Sequence, residues 1–148
     1  METVREAAAD ALGVLGDGNA AEALTQALAY DGSEDVRAAA ASALGKLRAS
    51  EVAADLIRAL AQDPSWAVRA EAASALGARR EASAVNVLIL ALETDPDESV
   101  RMDAADALGV IGDPAALESL RRAADGDASA QVREWAADAL EEFRHLRN

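Results

Sequence analysis

The side chains of this 148-residue chain that could do chemistry are few and poorly grouped. His145 is the single histidine and lies near Glu141 and Glu142. A zinc-type site needs three or four His, Cys or carboxylate ligands, and there is no cysteine. The spacing predicts a solvated helix end there, and no metal. Asp125-Gly126-Asp127-Ala128-Ser129 begins as a calcium loop does, but Ala130 occupies the glycine position and Ala136 that of the bidentate glutamate. Gly45-Lys46 lacks the upstream glycine and the following Ser or Thr of a phosphate loop. The crowded acids Glu93, Asp95, Asp97 and Glu98 fit a solvated loop better than an acid/base pair. The expectation is therefore no catalytic residue, no cofactor and no enzyme.

One charged pattern is too regular for a ligand site. Arg37, Arg69, Arg101 and Arg133 each follow Asp31, Asp63, Asp95 and Asp127 by six positions. A guanidinium fork can bond both a carboxylate and the exposed carbonyls at a helix end, so these eight residues are expected to form a structural ladder tying each unit to the next.

The elements that must carry the ladder are set by a period. Val-Arg recurs at residues 4–5, 36–37, 68–69, 100–101 and 132–133, every 32 residues without insertion or deletion. Leu12, Leu44, Leu76, Leu108 and Leu140 keep the same step. Self-similarity of this kind means stacked units that bury one another's apolar faces. Within one unit, Ser33, Ser65, Asp97 and Ser129 stand where a helix N-cap is wanted. Val36, Ala40, Ala43, Leu44 and Leu47 then fall on one face of a first helix of about 13 residues. Gly45, with Gly13, Gly77 and Gly109, lies near its end, where a missing Cβ permits a turn or a close neighbour. A second helix carries Leu56, Ile57, Ala59 and Leu60, and Asp63-Pro64 and Asp95-Pro96 stop it.

The pattern Asp63, Val68, Arg69, Ala72, Ala73, Ala75, Leu76, Gly77, then Leu88, Ile89, Ala91 and Leu92, resembles the HEAT family. It is most like the short HEAT-like repeats of the phycobilin-lyase type that are also used in artificial repeat libraries. The likeness runs over essentially the whole chain. It implies an all-α fold, a right-handed α-solenoid (an α/α superhelix) of tandem helix pairs, with the first helices on the convex side and the second helices lining a concave face that commonly binds protein partners. Residues 1–148 then form one domain: four helix pairs, at about 4–30, 33–62, 65–94 and 97–126, and a closing helix at about 129–146. HEAT-repeat iron hydroxylases would require His-Glu pairs, which this chain lacks.

Recognition belongs where the units differ, because packing columns must stay alike. On the second helices the varying triplets are Glu22, Ala23 and Gln26; Ala54, Asp55 and Arg58; Asn86, Val87 and Leu90; and Glu118, Ser119 and Arg122. Val87 and Leu90 are apolar where the other units place Ala or polar residues. With Trp66 in the preceding turn and Asp55, Arg58, Asn86 and Arg122 as a polar rim, they form the expected partner-binding patch. Trp135 is expected to cover the end of the fourth pair. The favoured function is a noncatalytic protein-binding scaffold. The alternatives are a bilin or tetrapyrrole lyase-like accessory subunit, and an engineered array with no native ligand.

A formal charge of −13 disfavours nucleic acid as a partner, since phosphate binding needs surplus Lys and Arg. No run approaches the roughly 18 apolar residues of a membrane span, and residues 1–20 lack the features of a signal peptide. A cytoplasmic protein is expected, either a monomer or a weak dimer through an uncapped first helix. Glu141 replaces the repeated glycine, making the closing helix polar, as a terminal cap requires.

Overall fold

The computed structural model describes residues 18–146, and every regular element among them is helical. The helices are α1 (Gly18–Tyr30), α2 (Glu34–Lys46), α3 (Ala53–Gln62), α4 (Trp66–Ala78), α5 (Val85–Thr94), α6 (Glu98–Ile111), α7 (Leu117–Gly126) and α8 (Ala130–Leu146). Single 3-10 turns, Ser50–Val52, Ala82–Ala84 and Pro114–Ala116, lead into α3, α5 and α7. The first helix expected for the first pair, with Val4, Arg5, Leu12 and Gly13, lies outside the described residues, as does the expected pairing of copies through it.

Helices α2, α4, α6 and α8 stack in one row, with α1, α3, α5 and α7 beside them in a second, so the chain is an all-α solenoid. The first row is built almost wholly from small residues. Ala40, Ala41 and Leu44 of α2 recur as Ala72, Ala73 and Leu76 of α4 and as Ala104, Ala105 and Leu108 of α6, all shielded from solvent. A Cβ placed on Gly45 would lie 2.9 Å from the Ala75 Cα, and one on Gly77 would lie 2.8 Å from the Ala107 Cα. These glycines therefore serve close helix approach rather than a turn: Gly45 and Gly77 are helical, with the chain leaving the helix after them. Leu24, Leu56, Leu88 and Leu120 of the second row fill the space between rows, and each fully buried leucine contributes roughly 1.5–3 kcal/mol of apolar transfer.

The second helices end as their sequence requires. Gln62 and Thr94 are the last residues of α3 and α5, immediately before Asp63-Pro64 and Asp95-Pro96. Each of the aspartates Asp31, Asp63, Asp95 and Asp127 accepts the backbone N–H two residues on, at 2.9–3.0 Å, forming the turn into the next first helix. Three of the four expected caps make side-chain bonds: Ser33 accepts from the Val36 N–H, Asp97 from Ser99 and Ser129 from Val132. Ser65 corrects the expectation. It has the extended N-cap backbone, but its hydroxyl makes no capping bond.

Candidate functional site

Where the first helices touch, the second helices stand apart and leave a series of open grooves. The groove between α1 and α3 encloses about 270 Å³ and is lined by residues including Leu28, Tyr30, Asp55, Arg58 and Gln62. The next, between α3 and α5, encloses about 330 Å³ and includes Leu60, Gln62, Val87, Leu90 and Thr94. A third, of about 480 Å³ between α5 and α7, includes Leu92, Glu93, Ser119, Arg122 and Gly126. Equivalent positions wall each groove. Asp55, Val87 and Ser119 hold one column, and Arg58, Leu90 and Arg122 hold the other, so the row reads polar, apolar, polar across three helices.

The residues singled out in the sequence divide accordingly. Val87 and Leu90 share the middle groove, and Leu90 is 57% exposed, a large apolar side chain held in solvent. Asp55 and Arg58 lie in the groove on one side, ion-paired with each other along α3. Arg122 lies in the groove on the other, bonded to Glu118 at 3.1 Å. Asn86 is exposed but outside the residues lining the middle groove. Trp66 is not brought to the patch either. It opens α4 in the first row, 52% exposed, and is not among the middle groove's lining residues. Trp135 on α8 is 36% exposed.

Tyr30 was not legible as a site residue, although it is the only tyrosine and is 80% exposed at the mouth of the first groove. The signal was available in its column, Tyr30, Gln62, Thr94 and Gly126, which closes each second helix and varies as freely as the triplets. Gly126 has no atom within 4 Å of where its Cβ would stand, and its missing side chain opens the third groove. Across that groove Ser119, itself buried, donates its hydroxyl to Glu93 at 2.6 Å.

The arginine–aspartate pattern resolves into cross-unit clamps. Arg37 donates Nε–H and Nη2–H to the two oxygens of Asp63, at 2.9 and 3.1 Å, while Nη1 donates to the Asp31 carbonyl at 3.0 Å. Arg69 repeats this with Asp95 and the Asp63 carbonyl, and Arg101 with Asp127 and the Asp95 carbonyl. Each guanidinium thus grips the aspartate 26 residues ahead, and takes only the backbone of the one six residues behind. The bond to Asp95 raises the Arg69 guanidinium above its already high range, against the opposing effect of burial. Of the four crowded acids, Asp95 is held in a rung, Asp97 caps α6 and Glu93 holds Ser119, so three of them are tied individually into the fold, while Glu98 is exposed in the first turn of α6.

A further clamp, unannounced by the period, sits in the third unit. Arg79 donates to the carbonyls of Leu44, Leu47 and Ala49 in the preceding unit and pairs with Glu81 at 3.0 Å. Arg80, with φ 52°, reaches the Val110 carbonyl of the following unit at 2.9 Å. On α6, the Asp103 carboxyl is pushed up to about 6 by burial, with Glu71 and Asp106 adding repulsion. Burial also raises Glu71, with Lys46 opposing it, and Asp106. Among the described residues no group of three His, Cys, Asp or Glu side chains could hold a metal ion, and no helix is long and apolar enough to cross a membrane.

Compared with known proteins, residues 2–63 and 53–141 match the family model described as HEAT repeats. No match is found among curated proteins. The fold is similar to the complex of CpcE and CpcF of phycocyanin lyase from Nostoc sp. PCC7120, with a TM-score of 0.81 and 26% identity over 95% of this chain and 59% of that chain. It is also similar to human deoxyhypusine hydroxylase in complex with glycerol, with a TM-score of 0.73 and 32% identity over 84% of this chain and 43% of that chain. This chain therefore spans less than two thirds of the length of either structure.

Proposed function

The chain belongs to the HEAT repeat family, and from that premise we propose that it is a noncatalytic scaffold holding a protein partner across the grooves of its second helices. The observation that carries this reading is the contrast between columns. Positions that pack are nearly invariant from unit to unit, whereas the groove-lining columns Asp55, Val87 and Ser119, and Arg58, Leu90 and Arg122, change at every step. A rigid stack gives those side chains fixed separations at little conformational cost on binding. Leu90 supplies the apolar anchor and the flanking Arg58 and Arg122 the polar rim, the arrangement in which binding energy concentrates. The clamps Arg37–Asp63, Arg69–Asp95 and Arg101–Asp127 keep the grooves in register in this reading, and Trp66 stands apart from recognition.

Leu90→Asp tests it. The side chain is 57% exposed, so the variant is expected to keep its stability within about 0.5 kcal/mol, yet to lose the partner recovered by the unaltered chain in affinity capture, while Trp66→Ala keeps it. Equal recovery by all three chains would overturn the assignment. The likeness to the phycocyanin lyase complex over 95% of this chain favours a second reading, an accessory role in bilin handling. A shift of visible absorbance on mixing with a free bilin would favour it, and unchanged spectra would remove it.

A further inference from the structure

The edge of the stack where each first helix turns into its second differs from unit to unit. The first and fourth units have Gly13-Val14-Leu15-Gly16-Asp17 and Gly109-Val110-Ile111-Gly112-Asp113 there, whereas the second and third have Gly45-Lys46-Leu47-Arg48-Ala49 and Gly77-Ala78-Arg79-Arg80-Glu81. Four of the chain's 14 basic residues, its single lysine among them, fall in these two stretches. Arg80, with φ 52°, takes the left-handed backbone that Gly112, with φ 74°, adopts in the fourth unit, so a side chain is carried there against the local preference.

Side by side, the two stretches wall a groove of about 430 Å³ whose lining includes Lys46, Arg48, Ser50, Arg79 and Glu81. The Arg79 side chain, 6% exposed, is held by the carbonyls of Leu44, Leu47 and Ala49 and by Glu81, the one acidic residue of the lining. That clamp occupies the groove's only carboxylate and fixes the segment on which Lys46 and Arg48 stand. Both of these are exposed, and neither forms an ion pair among the described residues. Lys46 is near enough to Glu71 of α4 for that carboxyl to feel its charge, without a bond between them, and Glu51 lies outside the lining. We propose that this groove is a second recognition site, independent of the second-helix grooves, which receives a short acidic segment of a protein partner through its side-chain carboxylates.

The chemistry of the lining selects that ligand. The Arg48 fork bonds a planar carboxylate through two donors, and the Lys46 ammonium attracts a second one as a point charge. The groove is larger than a single oxyanion, so it holds neighbouring side chains of one segment. Charge sets the length. The rest of a chain at −13 repels an extended polyanion, and attraction is confined to this edge, which therefore orients an acidic partner as well as binding it.

The test uses the whole 15N-labelled chain and follows the arginine Nε–Hε resonances by NMR. The probes are blocked hexaglutamate, blocked hexaglutamine and inorganic phosphate. Hexaglutamate is expected to shift the Arg48 resonance saturably in the millimolar range, leaving Arg58 and Arg122 of the second helices unmoved. Lys46→Ala and Arg48→Ala together are expected to weaken that binding about tenfold, followed by the backbone amides of residues 46–51. Arg121→Ala with Arg144→Ala removes two exposed charges elsewhere and is expected to leave it unchanged. An Arg48 resonance that does not move, or one that moves no more than Arg58 and Arg122, would overturn the proposal. So would equal losses in the two double variants, which would mark attraction by net charge alone, or an equal response to phosphate or hexaglutamine.

Discussion

The two rows of helices share one period, and they behave as different materials. In the first row, backbones approach until Gly77 has no room for a methyl group beside Ala107; in the second, α3 and α5 stand far enough apart that Leu90 remains in solvent. The distance between neighbours decides what each row can tolerate. Where helices touch through alanine and glycine, one added atom displaces a whole unit. Where they are separated by a groove, side chains are free to differ, and in this chain they do.

The sharpest way to break that contrast is to open a clamp. Arg69→Ala leaves the Asp95 carboxylate, 8% exposed, without its bidentate partner, and is expected to lower unfolding stability by about 3 kcal/mol in urea titration. A stability within 0.5 kcal/mol of the unaltered chain would show that the rungs do not hold the stack. Adding one methyl group to each row sharpens the comparison. Gly77→Ala places a Cβ 2.8 Å from the Ala107 Cα, and its overpacking cost exceeds the gain in helix propensity, for a net loss of about 1–2 kcal/mol. Gly126→Ala, with open space around the new atom, is expected to be neutral or to gain up to about 1 kcal/mol. Melting temperatures that fall alike in both variants would refute the difference between rows.

A smaller effect is tied to pH. Asp103 titrates at about 6 in the folded chain, above its unfolded range near 4, so its contribution favours folding below pH 4 and is lost as pH rises through 6. Because the group is partly solvated, Asp103→Asn is expected to stabilise the chain by only about 1 kcal/mol at pH 7 and by nothing at pH 4. The difference between the two urea titrations measures it, and a gain equal at both pH values would assign the effect to packing.

The first row was nearly all legible in the sequence. Val36, Ala40 and Leu44 recur at a strict step, and helical spacing puts them on one face, so burial follows from periodicity. The candidate site was half legible. Val87 and Leu90 stand out by comparing columns, and they do share a groove. Nearness in sequence places Trp66 with them, but it opens a first-row helix while Leu90 sits on the second row. Tyr30 ends its helix, one turn beyond the varying triplets, so the contrast among those triplets does not reach it.

From residue order alone came the period, the two helices of each unit, their ends at Asp63-Pro64 and Asp95-Pro96, and the all-α stack, because each depends on interactions within a few turns of chain or on exact repetition. Tertiary structure decided which aspartate each arginine grips, 26 positions ahead and not six behind. It also placed the reach of Arg79 into the preceding unit and the separation of the grooves. Those depend on how far and at what angle one helix lies from the next, and that is set by packing between units that a repeating pattern states only once.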